Sequence, residues 1–90
     1  MKIIVTGSCG FIGFHLCKSL LDDDHEILGI DNINDYYDTS LKYARLAKLL
    51  DFENFVFNKV DLEDHTALSE LFREYQPERV IHLAAQAGVR

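Results

Sequence analysis

Basic residues are scarce in this 90-residue chain. Nine Lys and Arg stand against fifteen Asp and Glu, a formal net charge of −6. A domain of that sign has no electrostatic attraction to DNA, RNA or an anionic membrane. Long apolar runs are missing too. The opening Ile3-Ile4-Val5 stops at Thr6, and Gly7, Ser8, His15 and Lys18 interrupt the next stretch of chain. That leaves neither a secretory h-region nor a span of about 20 apolar residues, and the expected location is the cytosol. Cysteine is limited to Cys9 and Cys17. They form no C-x-x-C, which argues against zinc. With Cys9 in a loop and Cys17 about two helical turns on, their Cα atoms should exceed the roughly 7 Å reach of a disulfide. Cys17 reads as a small core residue. Lys42, Arg45 and Lys48 share a helix face and read as solvated.

What remains is ordinary globular material, 48% hydrophobic and 27% charged. A single domain of this size buries about 60–65% of its unfolded surface. Lys2–Thr6 is short, apolar and β-branched, a buried strand. From Phe11 to about Leu21 a helix is expected, with Ile12, Leu16 and Leu20 as its apolar face. Asp22-Asp23-Asp24 ends it, because acids oppose the dipole at a helix C-terminus. With no glycine there, an Asp is expected in the left-handed conformation. Glu26–Ile30 is a second strand and residues 31–38 a loop. Thr39–Leu50 reads as a helix capped by Asp38 or Thr39, with Leu41, Ala44 and Leu49 inward. Asn54–Val60 is a third strand. Asp64–Tyr75 is a helix with Leu68, Leu71 and Phe72 inward. Pro77 closes it, and Arg79–Leu83 is a fourth strand.

Strands alternating with helices predict an α/β domain with a parallel sheet. Right-handed crossovers carry the second and third strands to one side of the first. In a doubly wound sheet the fourth then crosses to the other side, giving the order 3-2-1-4 and a crevice at the C-terminal end of the first strand. The stretch GSCGFIG, residues 7–13, falls there. It follows a strand and opens a helix, the context in which a glycine motif binds phosphate. Gly7 suits a tight turn with positive φ. Gly10 lets amides approach a diphosphate, and Gly13 lets the helix lie close to the sheet. The helix N-terminus adds partial positive charge. Gly13 inside a helix costs about 1 kcal/mol relative to alanine, which a sequence built only for helix stability would avoid. The spacing lacks the G-K-[ST] of a nucleoside-triphosphate loop.

Asp31 ends the second strand, 18 residues after Gly13. A carboxylate there accepts hydrogen bonds from the adenosine ribose of a dinucleotide and repels a 2′-phosphate, so NAD is favoured over NADP. Asp61, past the third strand, suits either an adenine contact or a helix N-cap, a role open to Asp64 as well.

TGSCGFIG, the acid after the second strand, Asp61-Leu62 and His82-Leu83-Ala84-Ala85 together resemble the extended short-chain dehydrogenase/reductases, Rossmann-type enzymes that include nucleotide-sugar epimerases and dehydratases. GIDNINDYYDTSLK at residues 29–42 and VIHLAAQAGVR at 80–90 resemble the UDP-glucuronate 4-epimerases of bacterial capsule and cell-surface pathways. The resemblance covers all ninety residues. It implies NAD as cofactor, a UDP-sugar substrate and a homodimeric complete enzyme. It places Gly7, Gly10, Phe11, Ile12 and Gly13 at the pyrophosphate, and Asp31 and Asn32 at the adenosine ribose. Asp61 and Leu62 would flank adenine, and Leu83, Ala84 and Ala85 would line the cofactor toward its nicotinamide. Gln86 and Arg90 would open the sugar-side loop. Arg90 is open to two readings, a guanidinium forked onto the sugar carboxylate or an exposed arginine. His82 reads as a satisfied core histidine rather than a catalyst.

The chemistry implied is hydride removal at sugar C4, rotation of the 4-keto sugar and hydride return to its other face. A tyrosine acts as base, with a lysine four residues on lowering its pKa. No Y-x-x-x-K occurs here. Tyr75 has Arg79 four places on, but Pro77 lies between them. The expectation is therefore the N-terminal part of such an enzyme, holding most of the adenosine-side cofactor site and no proton-transfer residues. Its fourth strand would be an unpaired edge, with marginal stability and self-association as consequences. The rival readings are a UDP-glucose 4-epimerase, a nucleotide-sugar 4,6-dehydratase and a non-catalytic NAD-binding module.

Overall fold

The computed structural model describes residues 1–33, 39–61 and 63–83. Its seven elements, in chain order, are β1 (Lys2–Thr6), α1 (Phe11–Asp22), β2 (Glu26–Asp31), α2 (Thr39–Leu50), β3 (Phe55–Lys59), α3 (His65–Tyr75) and β4 (Arg79–His82). The strands form one sheet in the order β3-β2-β1-β4. Every pairing is parallel, and β1 runs in register with both neighbours, Thr6 opposite Ile30 on one side and His82 on the other. The doubly wound α/β class and its strand order are as the sequence predicts.

Alternation along the strands sorts side chains onto two faces. Ile3, Val5 and Ile27 join Phe14, Cys17, Leu46 and Leu49 in a core beneath α1 and α2. Ile4, Leu28 and Ile30 face the other way, where Leu68, Leu71 and Phe72 of α3 cover them. Gly29 lies on the first face. A Cβ there would come within 2.7 Å of both the Phe55 ring and Ser8 Oγ, so its smallness seats Phe55 and the loop after β1 against β2.

Helix ends obey local chemistry. α1 closes on Asp24 in the left-handed region at φ 67°, and the His25 N–H returns to the Leu20 carbonyl at 3.1 Å. α3 starts on Asp64, whose side chain accepts from the Ala67 N–H at 3.1 Å, and ends on Gln76 at φ 52°, just before Pro77. The N-cap choice between Asp61 and Asp64 thus falls to Asp64. Asp38 and the Thr39 side chain, offered as caps for α2, lie outside the described residues.

The inward faces of two helices differ from expectation. α1 buries Gly13, Phe14, Cys17 and Leu21, while Ile12 is 69% exposed and Leu16 only half-buried. The face against the sheet is chosen by smallness as much as by hydrophobicity, and glycine carries no hydropathy signal. In α2, Leu46 and Leu49 are buried and Leu41 and Ala44 exposed. Lys42 and Leu49, seven residues apart, fall on one side of a helix with 3.6 residues per turn. The inward face of α2 therefore starts with charge and ends with leucine. His82 is no core residue. It is exposed on β4, the outermost strand among the described residues, and its Nδ1 lies 2.9 Å from Thr6 Oγ1.

Candidate functional site: a phosphate-type glycine loop

The segment after β1 turns at Gly7, φ 73°, and is moored to β2. The Gly7 and Ser8 amides donate to the Ile30 carbonyl at 2.7 and 3.3 Å, and the Gly10 amide donates to the Gly7 carbonyl at 3.1 Å. Ser8 and Cys9 point inward and are fully buried, whereas Phe11 and Ile12 are 65% and 69% exposed. The outer wall of the bend is consequently backbone. α1 begins at once on Gly10 with no side-chain cap, and its first amides have no helical carbonyl to receive them. A Cβ on Gly13 would stand 2.0 Å from the Gly7 oxygen and 2.8 Å from its carbonyl carbon, both backbone atoms. α1 can approach the bend only with glycine at 13. A bare bend and an uncapped 12-residue helix fit a diphosphate group.

Asp31 reaches this loop from β2. Its side chain is nearly buried, and its carboxylate accepts from the Cys9 N–H at 3.0 Å, the Ile33 N–H at 2.8 Å and Lys42 Nζ at 3.2 Å. The acid stands at the loop, as expected, and is held by three donors. Asn32 comes next, half-buried. Asp61 lies exposed past β3, accepting from the Glu63 N–H at 3.0 Å. The Leu83 N–H donates to the Thr6 carbonyl at 3.2 Å and to Thr6 Oγ1 at 3.0 Å, which sets Leu83 beside the end of β1 and the start of the bend. Gly7, Gly10, Phe11, Ile12, Gly13, Asp31, Asn32 and Leu83 thus lie along the C-terminal side of the sheet. Leu62, Ala84, Ala85, Gln86 and Arg90 are outside the described residues.

Two residues of the site escape a reading of composition. Lys42 and Arg45 are half-buried, and each has a partner in the protein. Lys42 pairs with Asp31, and Arg45 Nη1 donates to the Cys9 carbonyl at 3.1 Å, its guanidinium 5.8 Å from the Phe11 ring centre. Only Lys48 of the basic trio is exposed. The signal that finds them is their spacing of seven and four residues from the buried Leu49.

Both cysteines are buried and free: Cys17 is the core residue the sequence predicts, and Cys9, placed in the loop, is buried as well. Burial, reinforced by Asp31, pushes the Cys9 thiol up to about 11, and burial pushes Cys17 to about 12, from an ordinary 9.0. The folded state therefore holds these protons more tightly than the unfolded chain does. The stabilisation is complete below about pH 9 and is lost as pH rises through 11–12. Urea midpoints are expected to stay level from about pH 7 to 8.5 and to fall above about pH 9. Cys17→Ala should flatten that fall, and iodoacetamide should label neither thiol in the folded protein at about pH 8. Labelling at the rate of a free thiol would contradict the buried, protonated assignment. Among the described residues there is no group of three or more potential metal ligands and no helix long and apolar enough to cross a membrane.

Known proteins agree with this geometry. The family model described as GDP-mannose 4,6 dehydratase matches residues 4–90. Protein CapI of Staphylococcus aureus is 57% identical over 90 residues, 100% of this chain and 27% of that protein. A UDP-glucuronate 4-epimerase of Thermodesulfobacterium geofontis is 48% identical over 87 residues, 97% of this chain and 27% of its own length. The structure of Bacillus cereus UDP-glucuronic acid 4-epimerase in complex with UDP-glucuronic acid and NAD superposes with a TM-score of 0.84 at 40% identity, over 100% of this chain and 28% of that one. The chain spans about a quarter of the length of these relatives. Matched from Ile4 to Arg90 by one family model and carrying the glycine bend on the expected strand order, the chain belongs to the GDP-mannose 4,6 dehydratase family.

Proposed function

We propose that this chain is the NAD-binding N-terminal portion of a UDP-glucuronate 4-epimerase. One observation carries the reading: the bare bend of residues 7–13 and the Asp31 carboxylate are joined directly, through the Cys9 N–H, at the C-terminal side of the sheet. A dinucleotide spans that distance, its diphosphate at the amides and its adenosine ribose at the acid. The similarity to UDP-glucuronate 4-epimerases from T. geofontis and B. cereus supports the sugar assignment over UDP-glucose epimerases and dehydratases.

In this reading the amides of Phe11, Ile12 and Gly13 hold the pyrophosphate, and the N-terminus of α1 opposes its charge. Asp31 and Asn32 orient the adenosine ribose, and Asp61 and Leu62 flank adenine. Leu83, Ala84 and Ala85 position the nicotinamide end, and Gln86 and Arg90 face the sugar. NAD bound there supplies the hydride acceptor and donor for inversion at C4. The residues of this chain bind and orient, and the proton-transferring tyrosine and lysine come from elsewhere in the complete protein. A cytosolic homodimer supplying uronate sugars for polysaccharide synthesis completes the proposal.

Calorimetric titration of the complete gene product with NAD should give saturable 1:1 binding, and UDP-glucuronate should be converted to its C4 epimer. Absence of NAD binding refutes the cofactor assignment. Binding without epimerisation of any UDP-sugar favours a non-catalytic module.

A further inference from the structure

Cys9 is gripped at both of its backbone polar groups by side chains from other elements. Its N–H donates to Asp31 Oδ2 at 3.0 Å, and its carbonyl accepts from Arg45 Nη1 at 3.1 Å. The second bond ties α2 to the bend across 36 residues of chain. The Arg45 guanidinium also lies 5.8 Å from the centre of the Phe11 ring, and that ring meets His15 in a T-shaped contact at 4.7 Å. A guanidinium suits both of its contacts, with donors forked in its plane and a flat face for an aromatic ring.

A trans peptide points its C=O and the next N–H in opposite directions. With the Cys9 carbonyl drawn to Arg45, the Gly10 N–H is turned to the Gly7 carbonyl, to which it donates at 3.1 Å. The Gly10 carbonyl then receives the first bond of α1, from the Phe14 N–H at 2.8 Å. The aim of the amides of residues 11–13 is therefore inherited from the plane of one peptide. Gly10 has no Cβ to resist rotation of that plane, so the restraint comes from its partners. We propose that Arg45 is a positioning residue for the diphosphate loop, acting through the Cys9 carbonyl and not as a charge on the anion. This rests on the dinucleotide reading above and extends it to a residue of α2.

The test uses the complete gene product. Arg45→Met keeps an apolar stem and removes every donor. It should bind NAD about tenfold more weakly, the order expected for one charged hydrogen bond, with its urea midpoint little changed. The factor should be the same at about 50 mM and about 500 mM KCl, because salt screens a charge acting on an anion far more than it alters the set of a peptide plane. Hydrogen exchange at Gly10 and Phe14 should quicken about tenfold in the unliganded variant, with the amides of β1 and β2 unchanged. In the unsubstituted protein the guanidinium NMR signals of Arg45 should shift little when NAD is added. Unaltered NAD affinity in Arg45→Met, a deficit that vanishes at high salt, or unquickened exchange at Gly10 would each overturn the proposal and leave the dinucleotide site standing. Should Arg45→Met fail to fold, a large shift of the guanidinium signals on NAD addition overturns it equally, since that reports contact with the ligand. Failure of the unsubstituted protein to bind NAD removes the site and this proposal together.

Discussion

Gly13→Ala is expected to abolish dinucleotide binding and to cost the fold about 2–3 kcal/mol, near the upper end of the range for overpacking a tight contact. The added methyl would overlap the Gly7 carbonyl at 2.0 Å and touch Ser8 Cα at 3.1 Å. Neither atom belongs to a side chain that can swing aside. Relief requires α1 to lift from the sheet or the bend to open, and the bend is moored to the Ile30 carbonyl. Gly10→Ala is the informative comparison. A Cβ there meets only the Gly7 oxygen at 3.4 Å, an ordinary contact, and Gly10 has φ −73°, which alanine adopts freely. Gly10→Ala should therefore lose NAD affinity while its urea midpoint changes little, whereas Gly13→Ala loses both. Equal stability of the two variants would refute the packing role assigned to Gly13.

Asp31→Ala comes second, with an expected loss of about 3 kcal/mol in addition to lost NAD affinity. It strips the acceptor from the Cys9 and Ile33 amides and from Lys42 at once. Buried donors without partners cost about 1–3 kcal/mol each, and breaking a buried ion pair costs about 3–5 kcal/mol. The figure lies below the sum because Lys42, with 20% of its side chain exposed, can turn to water. Urea unfolding of Asp31→Ala beside Asp31→Asn measures this, and the asparagine variant should lose about half as much. A loss under about 0.5 kcal/mol for alanine would mean that the three donors find other acceptors. Because the carboxylate holds the bend in place, lost NAD binding in Asp31→Ala reports on the loop as well as on the ribose contact.

The sheet was legible in the sequence because its signals are strong and redundant. Four apolar, β-branched strands alternate with helices, and the handedness of crossovers leaves few strand orders. Gly7 and Gly13 were legible because each answers a geometric demand no other residue meets, a positive φ in one case and a helix against a carbonyl in the other. The helix faces were harder. On α1 the strongest hydropathy, Ile12, sits at the exposed N-terminus, while Gly13 and Cys17 take the contact with the sheet. On α2 a charged trio looked solvated beside an inward face of Leu41, Ala44 and Leu49, whereas Leu46 and Leu49 mark the buried side. Long basic side chains lie along apolar surface and deliver their charge at its end, so periodicity alone does not say whether that end meets water or a carboxylate. His82 looked buried because it sits in an apolar strand, yet its side chain is exposed and turned to Thr6.

The central position of β1 also orders events during synthesis. Its partner in β2 is made soon after it, but Thr6 meets His82 across 76 residues of chain. At ribosomal rates of roughly 5–20 residues per second, that interval is about 4–15 s. Throughout it one flank of β1 has no native neighbour, while β2 and β3, once made, can zip onto the other. Nascent chains of this protein should therefore be most open to chaperone capture after β3 emerges and before residues 79–82 do.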